Sequence, residues 1–405
     1  MKTEVVLIGV SGFARTHLQM ALTAHERGEV RLAAVTIVNP EEEQEICATL
    51  RGLGCTIFGD YLEMLDAMAG RAQLCLIPTG ISWHAPMTIA ALERGFHVFV
   101  EKPAAATVDE VEDMMEASRR HDRWVEVGFQ SLYGSERQEI EGLLASGALG
   151  AWQRMVATAL WPRKTDYYQR NNWAGQLKVG EKWVLDSPMM NALAHPLNMM
   201  LHLARQTHGS EPDRLRAELY RARAIPSTDT LYLEAEYSSG LKLEFGVTHA
   251  CGETQNPMLI IEGNRGRLVW NFLREWQIED HDSQITAKGS NQDELGVRES
   301  IMAHLVARVG NPSLQAVSSL EHAGKHVRMV NAAHLSTKIQ PIAEAHAALN
   351  VKSTVVEIKH ISEALNGVLN GQGGFFQQRT PWSSEPGEWV PFDGWSSFDV
   401  SAEDL

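Results

Sequence analysis

The sequence predicts an α/β protein: a doubly wound parallel sheet at the N-terminal end, followed by an α+β domain built on an open, largely antiparallel sheet. Over about the first 125 residues, short apolar runs alternate with segments of helical periodicity, which is typical of a parallel sheet covered by helices on both faces. Farther along, apolar runs are joined by turns such as Ser238–Gly240, which favours antiparallel hairpins. With 405 residues, of which 44% are hydrophobic, the chain can form two or three domains.

The first predicted domain spans residues 1–128. Its strands are predicted at VVLIG, LAAVTIV, CTIFGD, LCLIP, HVFVEKP and RWVEVGF. Its helices are predicted from about Ala14 and at PEEEQEICATLRGL, YLEMLDAMAG and HAPMTIAALERG. Most of these strands are short and apolar, as expected when both faces of a sheet are buried.

The second predicted domain spans residues 129–350. It begins with the helix SERQEIEGLLASGAL and the strand WQRMVATALW, and ends with two hairpins, TLYLEAEYSSGLKLEFGVTH and MLIIEGNRGRLVWNF. Residues 351–405 are predicted to form a helix and a tail rich in Gly, Pro and aromatic residues. We expect this tail to pack on the body, since so many exposed aromatic rings would be unfavourable in water.

Composition argues against several classes of function. The net charge of -15 and the absence of a Lys/Arg run make nucleic acid an unlikely partner. The opening MKTEVVLIGVSG lacks a secretory cleavage pattern, and no apolar stretch approaches the roughly 20 residues that span a bilayer, so we expect a cytoplasmic protein without a membrane partner. The four cysteines form no CxxC pair, and neither HExxH nor zinc spacing of His and Cys occurs, so no metal site is predicted.

The first chemical signal is the turn LIGVSGFARTH, where Gly9, Ser11, Gly12 and Ala14 fall on a dinucleotide fingerprint. Gly9 suits the tight turn, Ser11 or Gly12 lets amides approach a pyrophosphate, and Ala14 permits close packing of the helix on the strand. A plain turn between a strand and a helix is the alternative. The second strand offers Thr36 and no acid before residue 41, so the choice between NAD and NADP stays open.

The strand ends near residues 79 and 102 supply further polar groups. Thr79 and His84 follow one predicted strand, and Glu101 and Lys102 end the next, at the edge where doubly wound sheets bind ligands. Pro103 holds the preceding Lys102 extended, so its ammonium group is predicted to donate to a substrate oxygen. A surface lysine paired with Glu101 is the alternative.

The segment LDSPMMNALAHPLN is predicted to be a helix that begins at Ser187 and Pro188. Asn191, His195, Asn198 and His202 would then share one face, with a kink or break at Pro196. The residue types suit proton transfer, although a solvated polar stripe is the alternative.

The loop WPRKTDYYQRNNWAGQL lies between the predicted strand and this helix. Its rings and amides would suit a hydroxylated ring, with apolar contact to C–H faces and hydrogen bonds to hydroxyl groups. A buried connecting loop is the alternative.

Taken together, these stretches resemble the Gfo/Idh/MocA family of NAD(P)-dependent oxidoreductases, which includes glucose-fructose oxidoreductase and inositol dehydrogenase. The resemblance is carried by VVLIGVSGFARTH, PTGISWHAPMTIAALERGFHVFVEKP, EVGFQ, NALAHPLN, IPSTDT and IEGNRG. It implies a Rossmann domain, NAD or NADP as cofactor, and hydride transfer to or from a sugar, polyol or sugar derivative. It also implies a homodimer or homotetramer formed through the open sheet of the second domain.

The resemblance assigns roles to individual residues. Lys102 matches the lysine that contacts the substrate oxygen, and His195 matches the histidine that acts as acid or base. Asn191 falls where many members have aspartate, so Asp186 is a candidate to supply that carboxylate. The predicted catalytic residues are Lys102, His195 and Asn191; the cofactor-binding residues are Gly9, Ser11, Gly12, Phe13, Ala14, Thr36, Asn39, Thr79, His84, Glu101, Lys102 and Gln130; the substrate-binding residues are Arg163, Tyr168, Asn172, Trp173, Asp186, Asn191 and His195.

Two other functions fit the same residues. Some relatives are glycosidases that use tightly held NAD for transient oxidation and elimination. The changes at Ser11 and Asn191 also fit a sugar sensor that has lost catalysis, although the intact Lys102 and His195 argue against it.

Overall fold

The structure, a computed structural model, describes residues 2–403 and Leu405. The chain forms two compact units: Met1–Gly134 with Asp293–Gly324, and Ser135–Gln292 with Lys325–Leu405. The predicted domain boundaries differ from this division, because residues 293–324 belong to the first unit. Contacts between helices that are far apart in the sequence hold this segment in the first unit. One of them is an ion pair of Arg27 with Glu299 at 2.5 Å.

The strands are β1 (Thr3–Ile8), β2 (Val30–Thr36), β3 (Thr56–Phe58), β4 (Leu74–Ile77), β5 (His97–Val100), β6 (Val125–Val127), β7 (Trp152–Leu160), β8 (Lys178–Val179), β9 (Lys182–Trp183), β10 (Arg214–Arg221), β11 (Thr230–Glu236), β12 (Lys242–Thr248), β13 (Gln255–Gly263), β14 (Gly266–Asn271), β15 (Glu275–Asp280), β16 (Ile285–Ser290), β17 (Gln340–Pro341), β18 (Ala347–Asn350), β19 (Val355–Ile358) and β20 (Val390–Pro391). The helices are α1 (Ala14–Glu26), α2 (Gln44–Gly52), α3 (Tyr61–Met68), α4 (Ile81–Glu93), α5 (Val108–His121), α6 (Ser135–Ala145), α7 (Thr165–Gln169), α8 (Ala194–His208), α9 (Glu294–Gly310), α10 (Leu320–Ser336) and α11 (Ile361–Leu369).

The first unit contains a six-stranded parallel sheet in the order β3-β2-β1-β4-β5-β6. All four residues of β4 are buried, as expected for a strand covered on both faces. Helix α5, which the sequence analysis did not place, begins with a capping box in which Thr107 and Glu110 satisfy each other's backbone N–H groups. The parallel sheet confirms the predicted fold of this part of the chain.

The second unit contains a ten-stranded mixed sheet in the order β16-β15-β14-β13-β7-β12-β11-β10-β17, with β20 paired to β10. Its pairs are antiparallel except for β7 with β12 and β10 with β17. Both predicted hairpins occur, as β11 with β12 and β13 with β14. The predicted class, a parallel sheet followed by an α+β domain on a largely antiparallel sheet, is therefore confirmed.

The C-terminal segment, residues 361–392, packs on one face of this sheet. The ring of Phe375 lies 6.1 Å from that of Tyr220, 6.2 Å from that of Tyr232 and 4.9 Å from that of Trp382. Arg154 on β7 donates to the carbonyl groups of Val368 and Leu369 at the end of α11. The aromatic residues of the tail thus form a core with strands β7, β10 and β11, and Leu365 of α11 lies against Gly246 of β12.

A buried carboxylate lies beneath this segment. Glu218 on β10 is 3% exposed, and its Oε2 accepts hydrogen bonds from the Tyr220 hydroxyl at 3.0 Å and the Phe376 N–H at 3.1 Å. Burial raises the pKa of Glu218 to about 7, although both hydrogen bonds oppose the rise. The folded protein is therefore more stable with Glu218 protonated than with it ionised.

We predict that Glu218→Gln raises Tm by several degrees at pH 8 and changes it little at pH 5. Because the folded pKa lies above the ordinary value of 4.5, the stabilising effect of the proton is complete below the unfolded pKa and disappears as the pH rises through about 7. Thermal unfolding at the two pH values measures this difference. Glu275→Gln, a change of an exposed carboxylate on β15, is the control, and an equal Tm change for Glu218→Gln at both pH values would contradict the prediction.

Candidate active site

The turn between β1 and α1 has the backbone conformation that the fingerprint predicts. Gly9 and Gly12 have φ angles of +90° and +60°, which side chains other than glycine rarely adopt, and the space where a Cβ would stand is open at both. The Ser11, Gly12 and Phe13 amides donate no hydrogen bond to a residue that the structure describes. They stand at the N-terminus of α1, where the helix dipole favours negative charge. The turn therefore fits the pyrophosphate of a dinucleotide.

Two of the predicted cofactor residues at the end of β2 have other partners. Thr36 is 3% exposed, and its hydroxyl donates to Met64 Sδ at 3.3 Å. Asn39 is exposed, and its amide donates to Glu42 Oε1 at 3.3 Å. The Thr36 side chain therefore points into the protein, and its contact with the cofactor stays a prediction.

The structure instead brings Glu43 to the glycine turn. Glu43 Oε1 accepts a hydrogen bond from the Ser11 hydroxyl at 2.8 Å, and its Oε2 forms an ion pair with Arg15 Nη2 at 3.1 Å. Glu43 lies 32 residues after Ser11, beyond the distance of about 20 residues at which the fingerprint places an acid, so the spacing did not predict it. The acid-rich run after Pro40 was the available signal.

His84 is 1% exposed, and its ring joins two backbone segments. Its Nδ1 lies 2.7 Å from the Pro103 carbonyl oxygen and its Nε2 lies 3.0 Å from the Thr79 carbonyl oxygen. Burial holds the pKa of His84 below its ordinary value, so the neutral ring donates to one of these carbonyls at a time. The His84 ring therefore ties the end of β4 to the segment carrying Lys102, and its contact with the cofactor stays a prediction.

Glu101 is held by its own neighbours in the first unit. Its Oε1 lies 2.9 Å from His17 Nε2, and its Oε2 accepts the Lys102 backbone N–H at 3.0 Å. Burial acts to raise the pKa of Glu101, but the hydrogen bond and charge of His17 and the charge of Lys102 bring it below the ordinary value. Gly128 is required beside it, since a Cβ there would lie 2.6 Å from Glu101 Oε1. Lys102 itself is half-buried, as is Gln130 at the start of a 3₁₀ turn.

The segment that leads to His195 differs from the predicted helix. α8 begins at Ala194, so Asn191 lies in a turn before it and the predicted four-residue face does not form. The sequence predicts a kink or break at Pro196; in the structure α8 begins two residues earlier, so Pro196 stands in its first turn, where the missing N–H interrupts no helical hydrogen bond. On α8, His195 is half-buried, whereas Asn198 and His202 are buried.

Asp186 links this segment to the aromatic loop before it. The carboxylate is 3% exposed, its Oδ2 accepts the Gly175 N–H at 2.7 Å, and its Oδ1 accepts the Asn191 side-chain amide at 2.9 Å. Asp186, the candidate to replace the carboxylate that the resemblance places at position 191, is thus in direct contact with the Asn191 amide.

The aromatic loop is held from inside. The Asn171 side chain accepts the N–H groups of Trp173 and Ala174 at 3.1 and 2.8 Å, and a Cβ at Gly175 would lie 2.9 Å from the Tyr168 ring. Of the predicted substrate residues, Arg163, Tyr168 and Trp173 are partly buried and Asn172 is exposed. Tyr167 and Arg170 of the same loop lie beside these residues, and the structure also brings Arg223 and His249 here from distant parts of the chain.

The described residues offer neither a cluster of metal ligands nor a membrane-spanning helix. Residues 2–403 and 405 contain no group of three or more His, Cys, Asp or Glu side chains placed to hold a metal ion. In the same part of the chain, no helix has the length and apolar character needed to cross a bilayer.

Known proteins share both parts of the chain. The Gfo/Idh/MocA model, described as an oxidoreductase family with an NAD-binding Rossmann fold, matches residues 3–129, and the model of its C-terminal domain matches residues 138–269. Inositol 2-dehydrogenase of Burkholderia cenocepacia is 24% identical over 267 residues, which make up 66% of this chain and 73% of that protein. The dTDP-3,4-didehydro-2,6-dideoxy-alpha-D-glucose 3-reductase of Streptomyces antibioticus is 26% identical over 244 residues, 60% of this chain and 69% of that one.

A solved structure shows the same fold. The WlbA dehydrogenase of Bordetella pertussis, determined with NADH and UDP-GlcNAcA, has a TM-score of 0.67 and 18% identity, covering 83% of this chain and 96% of that one.

We predict that Asn191→Asp lowers Tm more at pH 8 than at pH 5. The substitution places a second carboxylate where the amide now lies 2.9 Å from Asp186, and repulsion raises the pKa of the pair. Stability is then lost as the pH rises through that raised pKa. Asn172→Asp, at an exposed position, is the control for thermal unfolding at both pH values. An equal loss of Tm at pH 5 and pH 8 would show that the two side chains do not interact as charges.

Proposed function

Because the chain belongs to the Gfo/Idh/MocA oxidoreductase family, whose first domain is an NAD-binding Rossmann fold, we propose that it transfers a hydride between NAD and a hydroxyl-bearing carbon of a sugar, polyol or sugar derivative. The observation that carries this proposal is the open glycine turn at the N-terminus of α1 in a chain that matches both family domains. Inositol and sugar-nucleotide enzymes among the relatives support carbohydrate as the substrate class. NAD supplies or accepts the hydride when it is bound at this turn.

The proposed roles of the catalytic residues follow the resemblance. His195 takes the proton from the reacting hydroxyl, and Lys102 donates a hydrogen bond to the oxygen as its charge develops. Glu101 and His84 act through Lys102: Glu101 accepts its backbone N–H, and His84 binds the next carbonyl along the chain. Asp186 holds Asn191, and thereby the turn that leads into His195.

We infer NAD rather than NADP as the preferred cofactor. In the Rossmann fold, a carboxylate near the fingerprint accepts hydrogen bonds from the adenosine ribose and repels a 2′-phosphate. Glu43 supports this preference, since its carboxylate is 2.8 Å from the hydroxyl of Ser11 in the fingerprint itself. Arg15, which pairs with Glu43, is the group that would attract a phosphate if the carboxylate were removed.

We also propose a homodimer or homotetramer, with a contact restricted to one half of the open sheet. The chain's own C-terminal segment packs on β7, β10, β11 and β12. The sheet face formed by these strands is therefore not available for a subunit contact. Strands β14 to β16 keep exposed or half-exposed residues along one face. The four buried, free cysteines suit a reducing compartment, and the cytoplasm is the proposed location.

We predict that the protein reduces NAD with at least one member of a panel of sugars, inositols and sugar acids, and that His195→Ala lowers kcat by about 10² to 10⁴-fold. NADH affinity should be unchanged in the variant, because the base acts on the substrate. His281→Ala is the control, since the His281 side chain is 77% exposed. Glycoside cleavage without net change in the nicotinamide absorbance, or ligand binding without any turnover, would replace this proposal by a glycosidase or a sensor.

We predict that Glu43→Gln strengthens NADPH binding by about tenfold or more and weakens NADH binding a few-fold. The substitution removes the negative charge that faces the 2′-phosphate and leaves Arg15 to attract it. Titration of nicotinamide fluorescence measures both dissociation constants without turnover. Glu41→Gln, which changes an exposed acid of the same loop, serves as the control. A wild-type protein that already prefers NADPH, or an unchanged ratio of the two constants in Glu43→Gln, would refute the assignment.

A further inference from the structure

Three arginine side chains of the second unit converge on two adjacent tyrosines. The guanidinium carbon of Arg163 lies 4.8 Å from the centroid of the Tyr167 ring, and that of Arg170 lies 3.5 Å from the same centroid. The guanidinium carbon of Arg223 lies 5.1 Å from the Tyr168 ring, and the two tyrosine rings are 5.1 Å apart. We call these five residues the arginine–tyrosine cluster.

No carboxylate of the described residues lies within ion-pair distance of these three guanidinium groups, although Asp229 is close enough to interact with the charge of Arg223. Within the part of the chain that the structure describes, Arg163, Arg170 and Arg223 form no ion pair; Arg223 donates to the carbonyl groups of Arg163 and Thr354, and Arg170 to that of Tyr167. Other arginines of this unit behave differently. Arg154, Arg214, Arg216 and Arg267 each pair with a glutamate.

Two buried carboxylates lie close to the cluster and are engaged by other donors. Asp229 accepts the N–H groups of Ala222 and Arg223 at 3.0 to 3.1 Å and the Thr230 hydroxyl at 3.0 Å. Asp186 accepts the N–H of Gly175 and the Asn191 amide. Neither carboxylate lies within ion-pair distance of the three guanidinium groups.

Several buried polar atoms in and beside the cluster have no hydrogen-bond partner among the described residues. They are Arg163 Nε, Arg223 Nε, the Tyr168 hydroxyl and Nε2 of His249, a residue that is 2% exposed. The His249 ring lies 5.9 Å from the Tyr167 ring. Burial and the nearby Arg163, Arg170 and Arg223 hold the pKa of His249 well below its ordinary value, so its ring is neutral and can donate or accept. Buried polar atoms are normally hydrogen-bonded in folded proteins, so these four atoms are available to a ligand or to ordered water.

We propose that the arginine–tyrosine cluster binds an anionic group of the substrate, so that the substrate is a sugar acid or a phosphorylated sugar rather than a neutral sugar or polyol. Guanidinium groups bind carboxylate and phosphate oxygens through paired hydrogen bonds. The rings of Tyr167 and Tyr168 hold the three guanidinium groups in place by cation–π contact.

A chain of contacts connects the arginine–tyrosine cluster to the segment before His195. Tyr168 packs against Gly175, the Gly175 N–H donates to Asp186, and Asp186 accepts the amide of Asn191. An anion at the arginines would therefore position the substrate relative to this segment. The proposal rests on the proposed oxidoreductase function, because it names the class of substrate that this function acts on.

The test compares matched ligands. In the presence of saturating NADH, dissociation constants are measured by calorimetry for D-glucose, D-gluconate, D-glucuronate and D-glucose 6-phosphate, and for D-galactose, D-galacturonate and D-galactose 1-phosphate. We expect an anionic member of a series to bind at least tenfold more tightly than its neutral parent. The sugar acids and the sugar phosphates form separate arms, which distinguish a carboxylate from a phosphate as the recognised group.

The variants Arg170→Met and Arg223→Met should weaken binding of the preferred anion at least tenfold and leave NADH affinity unchanged. Arg170→Lys, which keeps the charge, should recover part of the loss. Arg274→Met, which changes an exposed arginine in the turn before β15, should have no effect. Because Arg170 is exposed, its replacement leaves a folded protein to measure even where Arg223→Met does not.

Neutral sugars that bind as tightly as their acids and phosphates, or anion binding that is unaffected in Arg170→Met, would overturn the proposal and show that the arginines only stack on the tyrosines. Absence of binding to every anion would overturn it as well. These results are separable from failure of the proposed function, which would appear as no nicotinamide redox change with any ligand.

Discussion

The buried carboxylate of Asp186 is the constraint on which the candidate substrate site depends. It accepts hydrogen bonds from the Gly175 N–H at the end of the aromatic loop and from Asn191 in the turn before α8. A buried carboxylate is stable only when such donors surround it, so the loop and the turn are held together by the same charge. The position of His195 at the start of α8 follows from this arrangement, because the turn delivers the chain to the helix.

In the first unit, backbone conformation and side-chain packing position the glycine turn and the residues around Lys102. Gly9 and Gly12 adopt positive φ angles that leave the amides before α1 open to an anion. Around Lys102, the carboxylate of Glu101 is fixed by His17, and the absence of a side chain at Gly128 makes room for it. The groups assigned to cofactor and substrate therefore stand on short strand ends whose neighbours leave them little freedom.

The C-terminal segment covers part of the open sheet and so reduces the surface that the sheet presents. Its helix and aromatic residues cover strands that would otherwise present a broad face to solvent. That burial is strong enough to hold Glu218 in an environment where its pKa rises to about 7. The segment thus contributes to the core of the second unit and limits the surface through which subunits can associate.

Local patterns were sufficient to predict the class of fold, the positions of most strands along the chain, and the backbone conformation of the glycine turn. These features depend on local periodicity and on the conformational freedom of glycine. The sequence also pointed to His84, Lys102 and His195 as residues of interest. The start of α8 could not be predicted, because Pro196 is compatible both with a kink inside a helix and with the first turn of a helix. In the structure Pro196 lies in the first turn, and the turn before it is held by the contacts of Asp186 with Asn191 and Gly175.

Only the tertiary structure brought Glu43 to Ser11, 32 residues away, and Arg223 to the loop at Arg163, 60 residues away. Such contacts follow from strand order and loop paths, which no local pattern encodes. The same is true of residues 293–324, whose place in the first unit depends on packing between distant helices. Local chemistry identified the candidate groups, and long-range packing decided which of them stand together.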